Sequence, residues 1–424
     1  MIPIRALLAT LALGLCAAAP AAAQDARALR IGLVTYLSGP GAGPYGMPTR
    51  NAAELLFEAL NAGEVPAPHQ KRGFGGTPVE MVLLDEAGTT SNVVTQYRNL
   101  VTQRNVDMVI GYISSGSCLA VAPVAEELKT LTVFYNCGTS RLFEESSFRY
   151  VFRTASHATM DSVAAAMYVK QALPHVTRYA GMNQNYAWGL DSWRDFQGSM
   201  SKLLPGSEAV NSQMPKLFAG QYGTEISALG ASRPEVIHSS LWGGDLEAFL
   251  LQATPRALFA KAAPILVVGE SEIYRLAATI PDGAIIGARG PHGVFAPDNA
   301  LNRWFKAAYA KKHGQVPVFP SYHIVQAILG AKAAYEKAQG AGNRVPSTED
   351  IAAAFERLSY ETPSGTTRMT LGKGHRGIQD AVYGTVRNSG GKATVTNVIR
   401  FPADTVNPPD GVKSEDWVRS GLGR

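Results

Sequence analysis

The chain is short of cysteine, of charge and of long apolar stretches. Its 424 residues hold three cysteines, Cys16, Cys118 and Cys137. That is too few for a small disulfide-built scaffold, and a chain this long can bury a core without such staples. Charged residues make up 17% and the formal net charge is +5. The basic residues are scattered, which excludes the clustered cationic face of a nucleic-acid binder. Beyond the first two dozen residues no segment is apolar enough to cross a membrane. The eight histidines show neither H-x-x-x-H nor H-E-x-x-H spacing, so a zinc site of that kind has no support. There is no fixed-period repeat and no low-complexity tract.

What is present begins with an address. One positive charge, Arg5, precedes an apolar run over residues 6–15, followed by Pro20 and Ala21-Ala22-Ala23. A charged start, a short apolar run and an Ala-x-Ala exit describe a secretory signal peptide. The run is too short for an ordinary transmembrane helix. Cleavage is expected after Ala23, with the mature chain exported to the periplasm as a soluble protein. Cys16 follows Leu15, where a lipoprotein peptidase needs a small residue, so lipidation is not expected. Only Cys118 and Cys137 then remain. In an oxidising compartment they can form a disulfide, or they can be two small buried residues.

Strand and helix patterns alternate. Strands are expected over 29–36, 79–84, 106–113 and 131–135, and helices over 48–62, 92–104 and 116–128, with Pro123 kinking or ending the last. A second run follows: helices over 157–171, 190–203 and 245–253, strands over 179–182, 236–240 and 265–269. Long helices cover 299–313 and 321–339, and the tail reads as short strands with glycine-rich turns. The βαβα order predicts an α/β chain with two doubly wound Rossmann-like lobes of mostly parallel sheet.

Two motifs invite an enzyme reading. Gly41-Ala42-Gly43-Pro44-Tyr45-Gly46 fits G-x-G-x-x-G, the fingerprint of NAD-dependent oxidoreductases. Yet four residues separate it from the strand, Pro44 stiffens the turn, and Asp85 lies 39 residues beyond Gly46, about twice the usual gap. Ser114-Ser115-Gly116-Ser117 is no G-x-S-x-G elbow. It follows a strand and opens a helix, where backbone N–H groups attract an anion and a serine hydroxyl adds a donor. A plain N-cap is the bland alternative.

Several blocks in order resemble the leucine/isoleucine/valine-binding family of ABC-importer receptors. They are Ser38-Gly39-Pro40 with Tyr45-Gly46; Asn51-Ala52-Ala53-Glu54-Leu55 and Asn61-Ala62-Gly63; Ile110-Gly111 with Ser115-Gly116; Ala120 to Glu127; Tyr150-Val151-Phe152-Arg153-Thr154; Tyr186 with Gly189; and Glu361-Thr362-Pro363-Ser364-Gly365. The resemblance spans about residues 29–370. It implies two lobes joined by three crossovers, lobe one over 29–153 plus 291–355 and lobe two over 154–290 plus 356–424, closing by hinge motion over a ligand. It implies binding, without a covalent step or a cofactor, by a monomer that serves an inner-membrane permease. An exported sensor of the same fold is the alternative.

The resemblance also assigns residues. Ser115, with Gly116 and Ser117, holds a ligand carboxylate, and Thr139 in the Cys137-Gly138-Thr139 turn contacts the same end. Tyr186 and Trp242 press on the ligand body, with Tyr45 and Trp188 as weaker candidates; each could instead be core. Departures appear at the amine end. Ala158, beside His157, stands where amino-acid binders place an Asp. Glu270 or Glu272 could supply the acid, and His292 and Arg289 could meet a second polar group. An α-amino acid and a carboxylate with an apolar or aromatic body therefore both remain open, since a closed cleft must neutralise any ammonium it buries.

Overall fold

The computed structural model describes residues 27–341 and 344–423; the expected signal peptide and cleavage site lie outside them. Five strands, β1 (Leu29–Thr35), β2 (Val79–Asp85), β3 (Met108–Gly111), β4 (Thr132–Phe134) and β5 (Val151–Arg153), form a parallel sheet. Five more, β6 (Arg178–Met182), β7 (Glu208–Gln213), β8 (Val236–Ser239), β9 (Ala263–Leu266) and β10 (Ile285–Gly287), form a second. Their orders match: β2-β1-β3-β4-β5 and β7-β6-β8-β9-β10. In each sheet the order reverses beside the first strand, and ligands of open α/β sheets lodge at that switch point, beyond the carboxyl ends of the strands.

The tail is shared between the lobes. Strands β11 (Ser359–Thr362), β12 (Gly365–Leu371) and β13 (Arg376–Ile378) extend the first sheet, where β13 pairs with β5. Strands β14 (Ala381–Ser389) and β15 (Lys392–Phe401) form a hairpin on β10 of the second. The expected assignment of everything after 355 to lobe two is thus corrected for 359–378. The chain passes between the sheets three times: after β5, after β10 and after β13.

Burial explains the elements. The Met47–Ala62 helix buries Ala52, Leu55, Leu56, Ala59 and Leu60 at helical spacing, with Pro48 in its first turn, where a missing N–H costs nothing. It packs on the Phe319–Gln339 helix, which is buried on nearly every face. Ile324, Val325, Ile328 and Leu329 there are fully enclosed, and each such side chain contributes about 1.5–3 kcal/mol. The helix does not end at Pro123, one of the two expected outcomes there: it runs Ser115–Glu127 through it. Pro123 faces solvent, and the carbonyl one turn earlier, on half-buried Leu119, can turn to water.

The G-x-G-x-x-G segment is a tight turn over Ala42–Gly46. The N–H groups of Ala42, Tyr45 and Gly46 are taken by the carbonyls of Gly39 and Gly41. Gly46 is required because a Cβ there would lie 1.5 Å from the Tyr36 carbonyl oxygen. Gly46 serves packing, and these three N–H groups are already taken rather than offered to a phosphate.

Candidate functional site

A narrow cavity of about 10 Å³, room for about one water, lies between the lobes, lined by Tyr45, Ile113, Ser115, Asn136, Gly138, Tyr186, Trp188, Trp242, Val268 and Arg289. Every one follows the carboxyl end of a parallel strand. Aromatic rings form much of the wall. Tyr45 and Trp242 meet across the cleft, with centroids 5.2 Å apart, and Trp242 also packs on Tyr36 at 5.8 Å. Trp188 lies against Gly138 of the other lobe: a Cβ on Gly138 would come within 2.1 Å of the indole.

The polar groups of the wall are donors. Ser115 Oγ accepts the N–H groups of Gly138 and Thr139, at 3.2 and 3.1 Å, which leaves its own hydrogen to donate. Asn136 Oδ1 accepts from Arg289 Nη1, so the amide nitrogen faces elsewhere, buried and without a protein partner. Trp242 Nε1 donates to Tyr186 Oη at 2.7 Å, freeing the phenol hydrogen. Arg289 sits 4.5 Å over the Trp188 ring, donates Nη2 to the Ser156 carbonyl at 2.7 Å, and pairs through Nε with Asp161 at 3.1 Å. It ties the second connecting segment, which follows β10, to both lobes.

Among the described residues no carboxylate lines this wall. Ala158 opens the Ala158–Ala172 helix, and the acid one turn on, Asp161, is taken by Arg289 and Ser156. Burial nevertheless pushes Asp161 up to about 6. Glu270 is drawn away from the cavity: it accepts the N–H groups of Val294 and Phe319, at 3.2 and 2.9 Å. Glu272 is fully buried beside Ser271. Desolvation pushes both glutamates up to about 8. Neither is placed or charged to meet an ammonium at neutral pH.

Other expected residues sit behind the wall. Thr139 does not line the cavity. Its hydroxyl donates to Asp191 of the second lobe at 2.6 Å, and Arg141 Nε joins the same carboxylate at 2.9 Å. His292 bonds Ser364 through Nδ1 at 2.6 Å, outside the cavity, and burial holds its pKa down at about 3. Gly116 and Ser117 lie in the first helical turn without facing the space. Cys137 is displaced from the wall too; it meets Cys118 as a disulfide, with Cα atoms 6.4 Å apart, inside the span such a bond requires.

The helix start is also less open than expected. Buried Glu86 accepts the N–H groups of Ile113 and Ser114, at 2.7 and 2.8 Å, and bonds Ser117. Burial pushes it up to about 7. The residues missed in the sequence were Asn136, Gly138, Ile113, Val268, Glu86 and Asp191. Position after a parallel strand would have flagged the first four.

A model of the family described as periplasmic binding protein matches residues 28–392. The chain belongs to the periplasmic binding protein family. A Leu/Ile/Val-binding protein homologue of Brucella melitensis is 24% identical over 372 residues, spanning 84% of each chain. A solute-binding protein of an ABC transporter from R. palustris, solved in complex with benzoate, superposes with a TM-score of 0.76 at 19% identity, over 91% of this chain and 99% of its own. Another from Rhodopseudomonas palustris BisB5, in complex with 3,4-dihydroxybenzoic acid, gives 0.74 at 20%, over 89% and 98%. A leucine-, isoleucine-, valine-, threonine- and alanine-binding protein of Brucella ovis, closed conformation, gives 0.73 at 22%, over 91% and 97%. These likenesses speak for the fold, and in this periplasmic binding protein too the lobes touch across the cleft: Gly244 N–H donates to the Pro40 carbonyl at 2.9 Å.

Proposed function

We propose that this protein is the exported solute receptor of an ABC importer and that its solute is a single-ring aromatic carboxylate. The observation that carries the reading is a wall of four aromatic residues whose polar members are donors, with no carboxylate among them. An anion gains from the Ser115 hydroxyl, the Asn136 amide and Arg289. An α-amino acid would bury its ammonium unanswered, at a cost of several kcal/mol. Tyr45, Tyr186, Trp188 and Trp242 supply flat apolar area for the ring. As closed, the space holds about one water, so the lobes must part to admit the ring. The R. palustris relatives that hold benzoate and 3,4-dihydroxybenzoic acid support the same choice.

In this reading the mature protein works as a monomer in the periplasm, and closing the lobes presents the loaded form to a permease, a population shift driven by affinity for the closed state. The test is a thermal-shift and calorimetric screen on the chain from Gln24, refolded to strip carried-over solute. Benzoate, 4-hydroxybenzoate and 3,4-dihydroxybenzoate should raise Tm by mass action. Leucine and phenylalanine should not. A shift with amino acids alone would overturn the assignment.

A further inference from the structure

Directly behind the cavity, the loop over residues 137–139 turns all three of its carbonyls away from the open space. Gly138 O accepts the N–H of Ala158 at 2.7 Å. Cys137 O and Thr139 O both accept from one nitrogen, Nη1 of Arg153, at 3.2 Å for the first. The opposite ends of two of these peptide units are the N–H groups of Gly138 and Thr139, which hold Ser115 Oγ. Arg153 thus grips the outer side of the loop whose inner side positions Ser115.

Arg153 is fully buried, and its Nε and Nη2 have no hydrogen-bond partner. Among the described residues its guanidinium bonds only those carbonyls, with the Phe143 ring 5.6 Å away. The two acids nearby are already paired: Glu144 with Arg376 at 3.1 Å, and Asp161 with Arg289 at 3.1 Å. Among the described residues this cluster holds three guanidiniums against two carboxylates. A buried cation without a counter-charge is costly, and a guanidinium does not escape by giving up its proton.

We propose that Arg153 is a positioning residue for anion binding, and that a solute carboxylate in the cleft supplies the charge it lacks. The inference rests on the reading of the cleft as a carboxylate site and adds a residue that never touches the solute. It acts in two ways. Its pull on the Cys137 carbonyl polarises the peptide whose other end, the Gly138 N–H, orients Ser115, and its charge raises the potential of the pocket through a water-poor interior, where Coulomb attraction is strong. Discrimination between a carboxylate and its neutral amide is therefore set partly outside the wall of the cavity.

The experiment compares wild type with Arg153→Met, Arg153→Gln and Arg153→Lys, each checked for folding by circular dichroism. Benzoate and benzamide, equal in shape and different in charge, are titrated at one ionic strength. Benzoate affinity should fall about tenfold or more in the Met and Gln variants, while benzamide affinity changes by less than about threefold. A merely structural arginine would weaken both ligands alike, and that result overturns the proposal. If benzamide binds too weakly to measure, the lysine variant decides: it keeps the charge without the fork, and benzoate binding clearly above that of Arg153→Met supports the proposal, parity overturns it. Wild-type protein that takes up no aromatic carboxylate removes the reading of the cleft and this inference with it. Wild type that binds benzoate, with all variants binding it equally well, removes this inference alone.

Discussion

Replacing Asp191 by alanine should loosen the closed form without disturbing either lobe. Asp191 lies on the Ala187–Leu203 helix of the second lobe, fully buried, and accepts from Thr139 Oγ1 and Arg141 of the first. Both bonds exist only while the lobes touch. The Thr139 bond is short, at 2.6 Å, and charge-assisted, which places it near about 1.5 kcal/mol. Arg141 is about a third exposed, 36% by side chain, so its pair is discounted to under about 1 kcal/mol. Arg194, one turn along the same helix, stays with Asp191 in either form and drops out of the difference. The closed form should lose about 2 kcal/mol relative to the open one. If solute binds the closed form, Kd rises about tenfold to thirtyfold, mostly through a faster koff. Stopped-flow fluorescence reads this directly, because Trp188 and Trp242 line the cavity. Solution scattering of the loaded variant should show a larger radius at subsaturating solute. A Kd within about twofold of wild type would refute the latch.

Three further outcomes are expected. Gly138→Ala should weaken binding by at least about tenfold with little change in Tm, since its Cβ would meet Trp188 at 2.1 Å only when the lobes close; calorimetry beside a melting curve checks this, and unchanged affinity counts against a closed binding form. Stability should fall as pH rises from about 6.5 to 9. Glu270 and Glu272, held near 8 by burial, keep protons in the folded state that the unfolded chain, with ordinary glutamate values, has already lost. Below that window His238 and His292, held near 3, act in the opposite sense; Glu272→Gln should flatten the alkaline limb of a Tm-versus-pH series, and an unaltered slope would remove Glu272 as its source. Finally, thiol titration of the denatured, unreduced mature chain should find no free cysteine, and the Cys118→Ser, Cys137→Ser pair should cost about 3 kcal/mol for a loop of 19 residues.

How much of this was readable in advance depends on where each signal lived. Most buried parallel strands announce themselves as apolar runs, and both lobes followed from their alternation with helices, although β5 and β10, three residues each, were too short to stand out. Strand β7 (EAVNSQ) was missed because it is an edge strand, polar and half exposed, with no apolar face to bury. Strands β11 to β13 were placed on the wrong side because sequence order carries no record of which sheet a late strand rejoins. At the site, Ser115 was legible from its place between strand and helix. Thr139 was legible as a functional threonine, but its hydroxyl turns to Asp191, whose distance of 52 residues hides the pair. Glu270, like Glu272, was a candidate for the missing acid through the resemblance, by its place after the 265–269 strand; the N–H groups of Val294 and Phe319 claim it instead. Arg289 stood with His292 as a residue that could meet a second polar group, and only the fold shows it buried against Trp188.

The three passages of the chain between the sheets also govern the order in which the molecule can be completed. Strand β13 (Arg376–Ile378) sits between β5 and β12, so β5 remains an open edge until nearly nine-tenths of the polypeptide has emerged. The second sheet is in the same position, waiting for β14 to cover β10. Neither lobe corresponds to a contiguous stretch that a protease or a truncation could release, and a chain stopped before residue 376 would carry two unfinished sheets with bare edges, the form most exposed to pairing with a neighbour.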